Sequence, residues 1–154
     1  MKAKYPFNVR VYGILINDKR ELLVSDEFED NIYFSKFPGG GLEYGEGLRD
    51  GLKREFIEEC ATEIEVLDHF YTTDFFVKSA FDESQVISVY YRVRSLKPLN
   101  LTFKNTPFDF EGQAGEAKQS FRWIPLTALR PEDLTLPIDR YVAKLIAENP
   151  DRLP

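Results

Sequence analysis

Three consecutive glycines, Gly39 to Gly41, follow Phe37-Pro38 and stand just ahead of a helical pattern rich in carboxylates. Glycines open backbone conformations closed to other residues and let a ligand approach the main chain closely. With the proline in front, the run is expected to break regular structure. From about Gly47 to Ala61, the residues Leu48, Leu52, Phe56 and Cys60 recur every fourth position and make one apolar stripe of an α-helix. At ~100° per residue, Glu55, Glu58 and Glu59 share roughly one third of the helix circumference beside that stripe. The stripe would anchor the helix in a core and hold the three carboxylates together at the edge of a cleft.

That acidic arc has two readings. On an exposed helix, like charges four residues apart cost only about 0.2–0.5 kcal/mol, and the acids are then an ordinary solvated face. In a partly buried cleft, at ~5 Å and an effective dielectric near ~20, each pair repels by about 3 kcal/mol and invites a cation. The chain has a single histidine, His69, so a metal would find carboxylate and carbonyl oxygens, which suits Mg²⁺ or Mn²⁺ rather than zinc. His69, at the start of a strand, reads as structural, and Cys60, on the apolar stripe, as a small buried hydrophobe.

Strand signals surround the helix. Asn8 to Ile16 is rich in β-branched residues and ends in an Asn17-Asp18 turn, with Glu21 to Ser25 as the expected hairpin partner. Ile32 to Phe37 is short and aromatic. Glu63 to Val77 resumes strand character with a bend near Thr72-Thr73-Asp74, and Gln85 to Val93 is the strongest strand pattern. Lys97 to Gln119 reads as loop, Phe121 to Ile124 as a short strand, and Ile138 to Ala147 as a closing helix. Strands, helix, strands, helix in one chain of 154 residues predict a single domain over residues 1–154. The fold class is α/β of the α+β kind, with a mixed β-sheet between helices.

Bulk properties narrow the function. A net charge of -6 disfavours a nucleic-acid polymer or an anionic membrane as partner, since both are bound by neutralising phosphates with Lys and Arg. No apolar run approaches the ~20 residues of a membrane span. Met1 to Pro6 has no apolar core behind its lysines, and the lone cysteine forms no internal disulfide, so a cytoplasmic location is expected. A homodimer is left open.

Gly40, Glu46, Arg54, Glu55, Phe56, Glu58 and Glu59 stand in the order and spacing of G-x5-E-x7-R-E-U-x-E-E-x-G-U, with U a bulky aliphatic residue. On that motif the chain resembles the Nudix hydrolases of the MutT-like kind. Ala61 stands where the last glycine belongs and Thr62 where an aliphatic residue is usual. The resemblance implies a Nudix-type α/β/α sandwich. It implies metal ligation by Glu55, Glu58 and Glu59 with the Gly39 carbonyl. Arg54 would orient a catalytic glutamate by a bidentate ion pair, the alternative being a plain surface salt bridge, and Glu46 would brace the loop. The segment Glu111 to Glu116 resembles the loop before the last strand of MutT-like members, which implies Glu111, or else Glu116, as a metal contact or base; the alternative is a flexible acidic loop. Glu55 or Glu111 would deprotonate a metal-bound water for attack on phosphorus.

The implied activity is metal-dependent hydrolysis of a small nucleotide-like diphosphate, foremost as a nucleoside triphosphate pyrophosphohydrolase. Alternatives are an ADP-ribose or other nucleotide-sugar pyrophosphatase, or a nucleotide-binding module without catalysis. The proline of ADP-ribose-type members is absent from Phe76-Val77-Lys78-Ser79. The asparagine that reads an oxidised purine would align near Ile138. Tyr33, Phe34 and Phe76 are candidates for stacking on a base.

Overall fold

The computed structural model describes residues 6–153. The expectation that the first residues carry no export signal therefore falls mainly on Met1 to Tyr5, outside the described residues.

Seven strands and two helices follow one another as β1 (Phe7–Leu15), β2 (Glu21–Glu29), β3 (Ile32–Lys36), β4 (Gly39–Gly41), α1 (Leu48–Cys60), β5 (Ile64–Thr72), β6 (Gln85–Ser95), β7 (Lys118–Pro125) and α2 (Pro137–Glu148). They form a mixed sheet in the order β4-β1-β6-β5 and an antiparallel sheet in the order β3-β2-β7. The expected mixed architecture is present, with its strands divided between two sheets.

The alternation of each strand decides which helix it serves. Val11 and Leu15 of β1 face the same core as Leu52, Phe56 and Cys60 of α1. Tyr12 and Ile14 face the other core, with Ile138, Val142, Ala143 and Ile146 of α2. Strand β6 splits likewise, Val89, Tyr91 and Val93 toward α1 and Tyr90 toward α2. Each side chain as large as Leu or Phe buried this way stabilises the fold by roughly 1.5–3 kcal/mol. The apolar stripe read from the sequence is the buried face of α1, since Leu52, Phe56 and Cys60 are fully buried and Leu48 packs at its edge. Burial pushes the Cys60 thiol up to about 12.

Three expectations are corrected. The hairpin between the first two strands is not a ladder: an isolated bridge, Ile16 to Leu22, marks the turn, after which the strands enter different sheets. The reason is competition for edges. β1 spends one edge on nine parallel pairs with β6 and the other on β4, while β2 pairs with β3 and β7. Second, Gly39 to Gly41 do not break regular structure but form β4, antiparallel to β1. Gly39 takes φ +143°, and a Cβ there would lie 2.1 Å from the Val11 carbonyl oxygen, so this close pairing needs the glycine. Third, β5 ends at Thr72, at the expected bend, rather than running on to Val77. There Thr73 leaves the sheet and is pinned by its amide and hydroxyl to the Ser88 carbonyl.

The end of α1 accommodates both departures from the motif. Ala61 adopts a left-handed conformation at φ 48°, its amide donating to Ile57 while the Thr62 amide donates to Phe56. Thr62 is buried, and its hydroxyl donates to the Cys60 carbonyl at 2.7 Å. An L-residue in that conformation costs roughly 1–2 kcal/mol, part of which glycine returns as unfolded-state entropy. Ala61→Gly is therefore expected to raise the free energy of unfolding in urea by about 1 kcal/mol. A variant no more stable than the parent would show that the turn is unstrained.

Candidate functional site

Glu46 lies in the loop between β4 and α1, and its carboxylate accepts the Glu43 amide at 2.8 Å. Arg54, on the second turn of α1, grips the same carboxylate with a two-pronged fork, Nε to Oε2 at 2.9 Å and Nη2 to Oε1 at 2.6 Å. This grip, with the Glu43 amide, lowers the Glu46 pKa to about 2. Hydrogen bonding to Glu46 and Glu55 in turn raises the Arg54 pKa. The guanidinium also donates to the Gly41 carbonyl at 2.9 Å, to Glu55 Oε1 at 3.0 Å and to Glu58 Oε2 at 3.1 Å. Arg54 is thus a hub rather than a plain surface pair. The expectation of a bidentate pair with a catalytic glutamate is corrected: the fork goes to Glu46, and Glu55 receives a single bond, because Nη1 is shared between Glu55 and Glu58.

Glu55 is buried and packed beneath β4, so that a Cβ on Gly40 would press on its carboxyl group at 2.7 Å. Glu58 is exposed, and Glu59 is half-buried with its pKa pushed up by desolvation against the pull of Lys36. Glu59 Oε2 is buried without a hydrogen-bond partner.

Lys36 was not singled out in the sequence, yet it is buried at the end of β3, 4% exposed, against this acidic face. Its Nζ donates to the carbonyls of Gly39 at 2.9 Å and Phe37 at 3.3 Å. It also pairs with Glu27 Oε2 at 3.2 Å and Glu59 Oε2 at 3.5 Å, over the Tyr12 ring. Burial alone would lower its pKa, but the charges of Glu27 and Glu59 outweigh burial and hold the ammonium above its ordinary value. Two expected metal donors, the Gly39 carbonyl and Glu59, therefore meet an ammonium, and two others, Glu55 and Glu58, meet a guanidinium. Among the described residues no three Asp, Glu, His or Cys side chains are arranged to hold one ion together. The donor chemistry nevertheless fits a hard divalent cation, since every candidate atom is an oxygen and Glu59 Oε2 is short of a donor.

Glu111 is not brought to the acidic face. It is exposed on the segment between β6 and β7, where its amide donates to Asp109 at 3.2 Å. Glu116 is exposed on the same segment. The segment is ordered rather than free, since Gln113 exchanges side-chain hydrogen bonds with the Gln119 backbone. Gln119 in turn reaches Ser25 at 2.9 Å.

A cavity of about 370 Å³ opens beside the acidic face, and Glu59 lines both. Arg10 and Tyr12 of β1, Phe34 and Lys36 of β3, Phe81 of the β5–β6 connection and Asp139 of α2 contribute to its wall. Phe34, expected as a stacking candidate, lines the cavity with its edge against Phe81. Tyr33 instead packs against Phe28, Phe108 and Phe110, and Phe76 points to solvent, 71% exposed. His69 is exposed, bonded to Thr72 and away from the cavity wall.

Asp139 is the cavity's most unusual group. It is 2% exposed, it accepts the Tyr90 hydroxyl through Oδ1, and Oδ2 has no partner. Sequence reasoning missed it, although a signal existed: Asp139 shares the i, i+3, i+4, i+7 spacing of Val142, Ala143 and Ile146, the buried face of α2. Lys36 carried a similar signal as a lone charge between Phe34 and Phe37.

A family model described as the NUDIX domain matches residues 6–145. No curated protein matches. Among solved structures the chain is similar to the MutT protein from Methanosarcina mazei Go1, with 19% identity, 97% of this chain and 99% of that one covered, and a TM-score of 0.68. It is similar to the E. coli ORF135 protein at 18% identity, covering 96% and 94%, with a TM-score of 0.66. It is also similar to an ADP-ribose pyrophosphatase from Streptococcus suis at 16% identity, covering 93% and 88%, with a TM-score of 0.57.

Desolvation raises the Asp139 pKa from 3.8 to about 6, against the opposing Tyr90 hydrogen bond and the Lys36 charge. A carboxyl whose pKa is raised on folding adds stability below its unfolded value and loses it as pH climbs through the folded value, here between about 4 and 6. The displacement corresponds to on the order of 3 kcal/mol. Asp139→Asn is therefore expected to gain on the parent by up to that amount between pH 4 and pH 7 in urea unfolding. A constant difference across that range would mean that Asp139 titrates normally.

Proposed function

Because the chain belongs to the Nudix family of pyrophosphohydrolases, we propose that it cleaves the diphosphate linkage of a small nucleotide-like substrate, with Glu55, Glu58 and Glu59 as the carboxylate ligands of Mg²⁺ or Mn²⁺. The single observation that carries this reading is Glu59, which belongs both to the acidic face of α1 and to the wall of the cavity. A nucleoside in the cavity would lay its phosphates across that junction. The Gly39 carbonyl and Glu111 are further candidate donors.

When bound, the metal supplies charge for the diphosphate oxygens and acidifies a water. The protein's own groups do the rest. Glu55 is the general base: its carboxylate is confined between Gly40 and the Arg54 guanidinium, which keeps one oxygen engaged and leaves the other for a proton. Arg54 positions Glu55 and Glu58, and the Arg54–Glu46 fork fixes Arg54. Glu111 is the alternative base, should its segment close over the acidic face. Within the cavity, Phe34 and Phe81 offer ring faces and edges, and Asp139 Oδ2 offers an acceptor to a donor-bearing base. With Ile138 where an oxidised-purine reader would have asparagine, an ordinary nucleoside triphosphate is the favoured substrate. The likeness to an ADP-ribose pyrophosphatase keeps nucleotide sugars as the second choice. The buried unpaired thiol of Cys60 suits a reducing cytoplasm.

The test is a panel of nucleoside triphosphates, ADP-ribose, NADH and dinucleoside polyphosphates incubated with Mg²⁺, Mn²⁺ or EDTA. Phosphate, pyrophosphate and nucleotide products are followed. Metal-dependent cleavage is expected, reduced by ~10²–10⁴-fold in kcat for Glu55→Gln with the thermal unfolding midpoint little changed. Full turnover in Glu55→Gln would move the base to Glu111. Binding without cleavage by the parent would replace the hydrolase with a nucleotide-binding module.

A further inference from the structure

Lys36 belongs to no motif that points to the hydrolase, yet it has the surroundings of a bound cation. Four oxygens face its Nζ within 3.5 Å: the Gly39 and Phe37 carbonyls, Glu27 Oε2 and Glu59 Oε2. All four are acceptors, two of them charged, and Lys36 is 4% exposed. The ring of Tyr12 lies 5.6 Å away and adds a further cation-attracting face. The shell is also built rather than incidental. Gly39 holds its carbonyl there through a φ of +143°, and the Glu27 oxygen facing Lys36 is fixed from behind by the Ser25 hydroxyl at 2.8 Å.

We propose that Lys36 is a resident cation that takes the place of one divalent ion. The inference rests on the metal-hydrolase reading and narrows its donor set. A magnesium-sized ion needs oxygens at roughly 2.0–2.1 Å, and one bridging the Gly39 carbonyl and Glu59 Oε2 would sit against the charge of an ammonium that lies 2.9 Å from the first oxygen and 3.5 Å from the second. Lys36 therefore keeps the inner pair of donors, the Gly39 carbonyl and Glu59 Oε2. Glu55 and Glu58, on the Arg54 side, remain for exchangeable metal. The ammonium also lines the cavity, so it lends its charge directly to a phosphate lying at the junction. Lys36 is in this sense a determinant of metal number and of anion affinity at the site.

The experiment is a Mn²⁺ titration of the full chain, counting bound ions per chain by electron paramagnetic resonance of the free ion. The proteins are the parent, Lys36→Met, the double variant Lys36→Met with Glu27→Gln, and Glu58→Gln. Lys36→Met is expected to bind one more Mn²⁺ per chain than the parent, and Glu58→Gln to bind Mn²⁺ at least tenfold more weakly. The double variant removes opposite charges together. It keeps the count readable if Lys36→Met alone fails to fold, and it too is expected to gain one ion. An unchanged count in a folded Lys36 variant, with Glu58→Gln weakened as expected, overturns the resident-cation proposal alone. Unaltered Mn²⁺ binding in Glu58→Gln overturns the metal reading beneath it.

Discussion

Charges of one sign crowd the junction of β4 and α1, and the arrangement around it follows from how that repulsion is met. Glu43, Glu46, Glu55 and Glu58 surround one guanidinium, and Glu27 and Glu59 share one ammonium. At separations of ~5 Å, each unscreened pair of carboxylates would repel by about 3 kcal/mol at an effective dielectric near ~20. Two cations compensating six acids leave a net negative site, which attracts a further cation and repels a bare anion. The division of labour is spatial. Arg54 works at the partly exposed rim, where it trades several single bonds, while Lys36 works in the interior, where its ammonium is locked in an oxygen shell.

That electrostatic arrangement depends on backbone proximity. β4 is three glycines long and lies against β1, close enough that Glu55 fills the space a side chain at Gly40 would take. The same approach turns the Gly39 carbonyl toward Lys36. From the other side, Leu52, Phe56 and Cys60 fix the depth of α1, so its acidic face is presented by the packing of its apolar one. Neither face would hold its position without the other.

The sequence carried the motif, the stripe of α1 and the mixed α and β architecture, because all three are local patterns with a fixed period or spacing. Edge choice is not local. Nothing in residues 8–25 says that β1 will prefer β6, some seventy positions away, to the strand that follows it. Gly39 to Gly41 carry low strand propensity, and only the close approach of β1 makes them a strand. Arg54 was legible as an ion-pair former, but which acid takes its fork depends on where the preceding loop sets Glu46. Lys36 and Asp139 were legible only as charges out of pattern, and their partners, Glu27 and Glu59 for one and Tyr90 for the other, come from other strands and helices.

The connection between β5 and β6, pinned at Thr73–Ser88 and at Lys78–Gln85, supplies Val77 to Asp82 to the cavity while standing outside both sheets. Lengthening such a connection adds little closing entropy, about 0.6 kcal/mol for each doubling. It could be rewritten without touching a strand pairing or the Arg54 hub. Although Glu59 and Lys36 are common to the cavity and the acidic face, much of the cavity wall is thus carried by a stretch of chain apart from α1, free to diverge at its own rate.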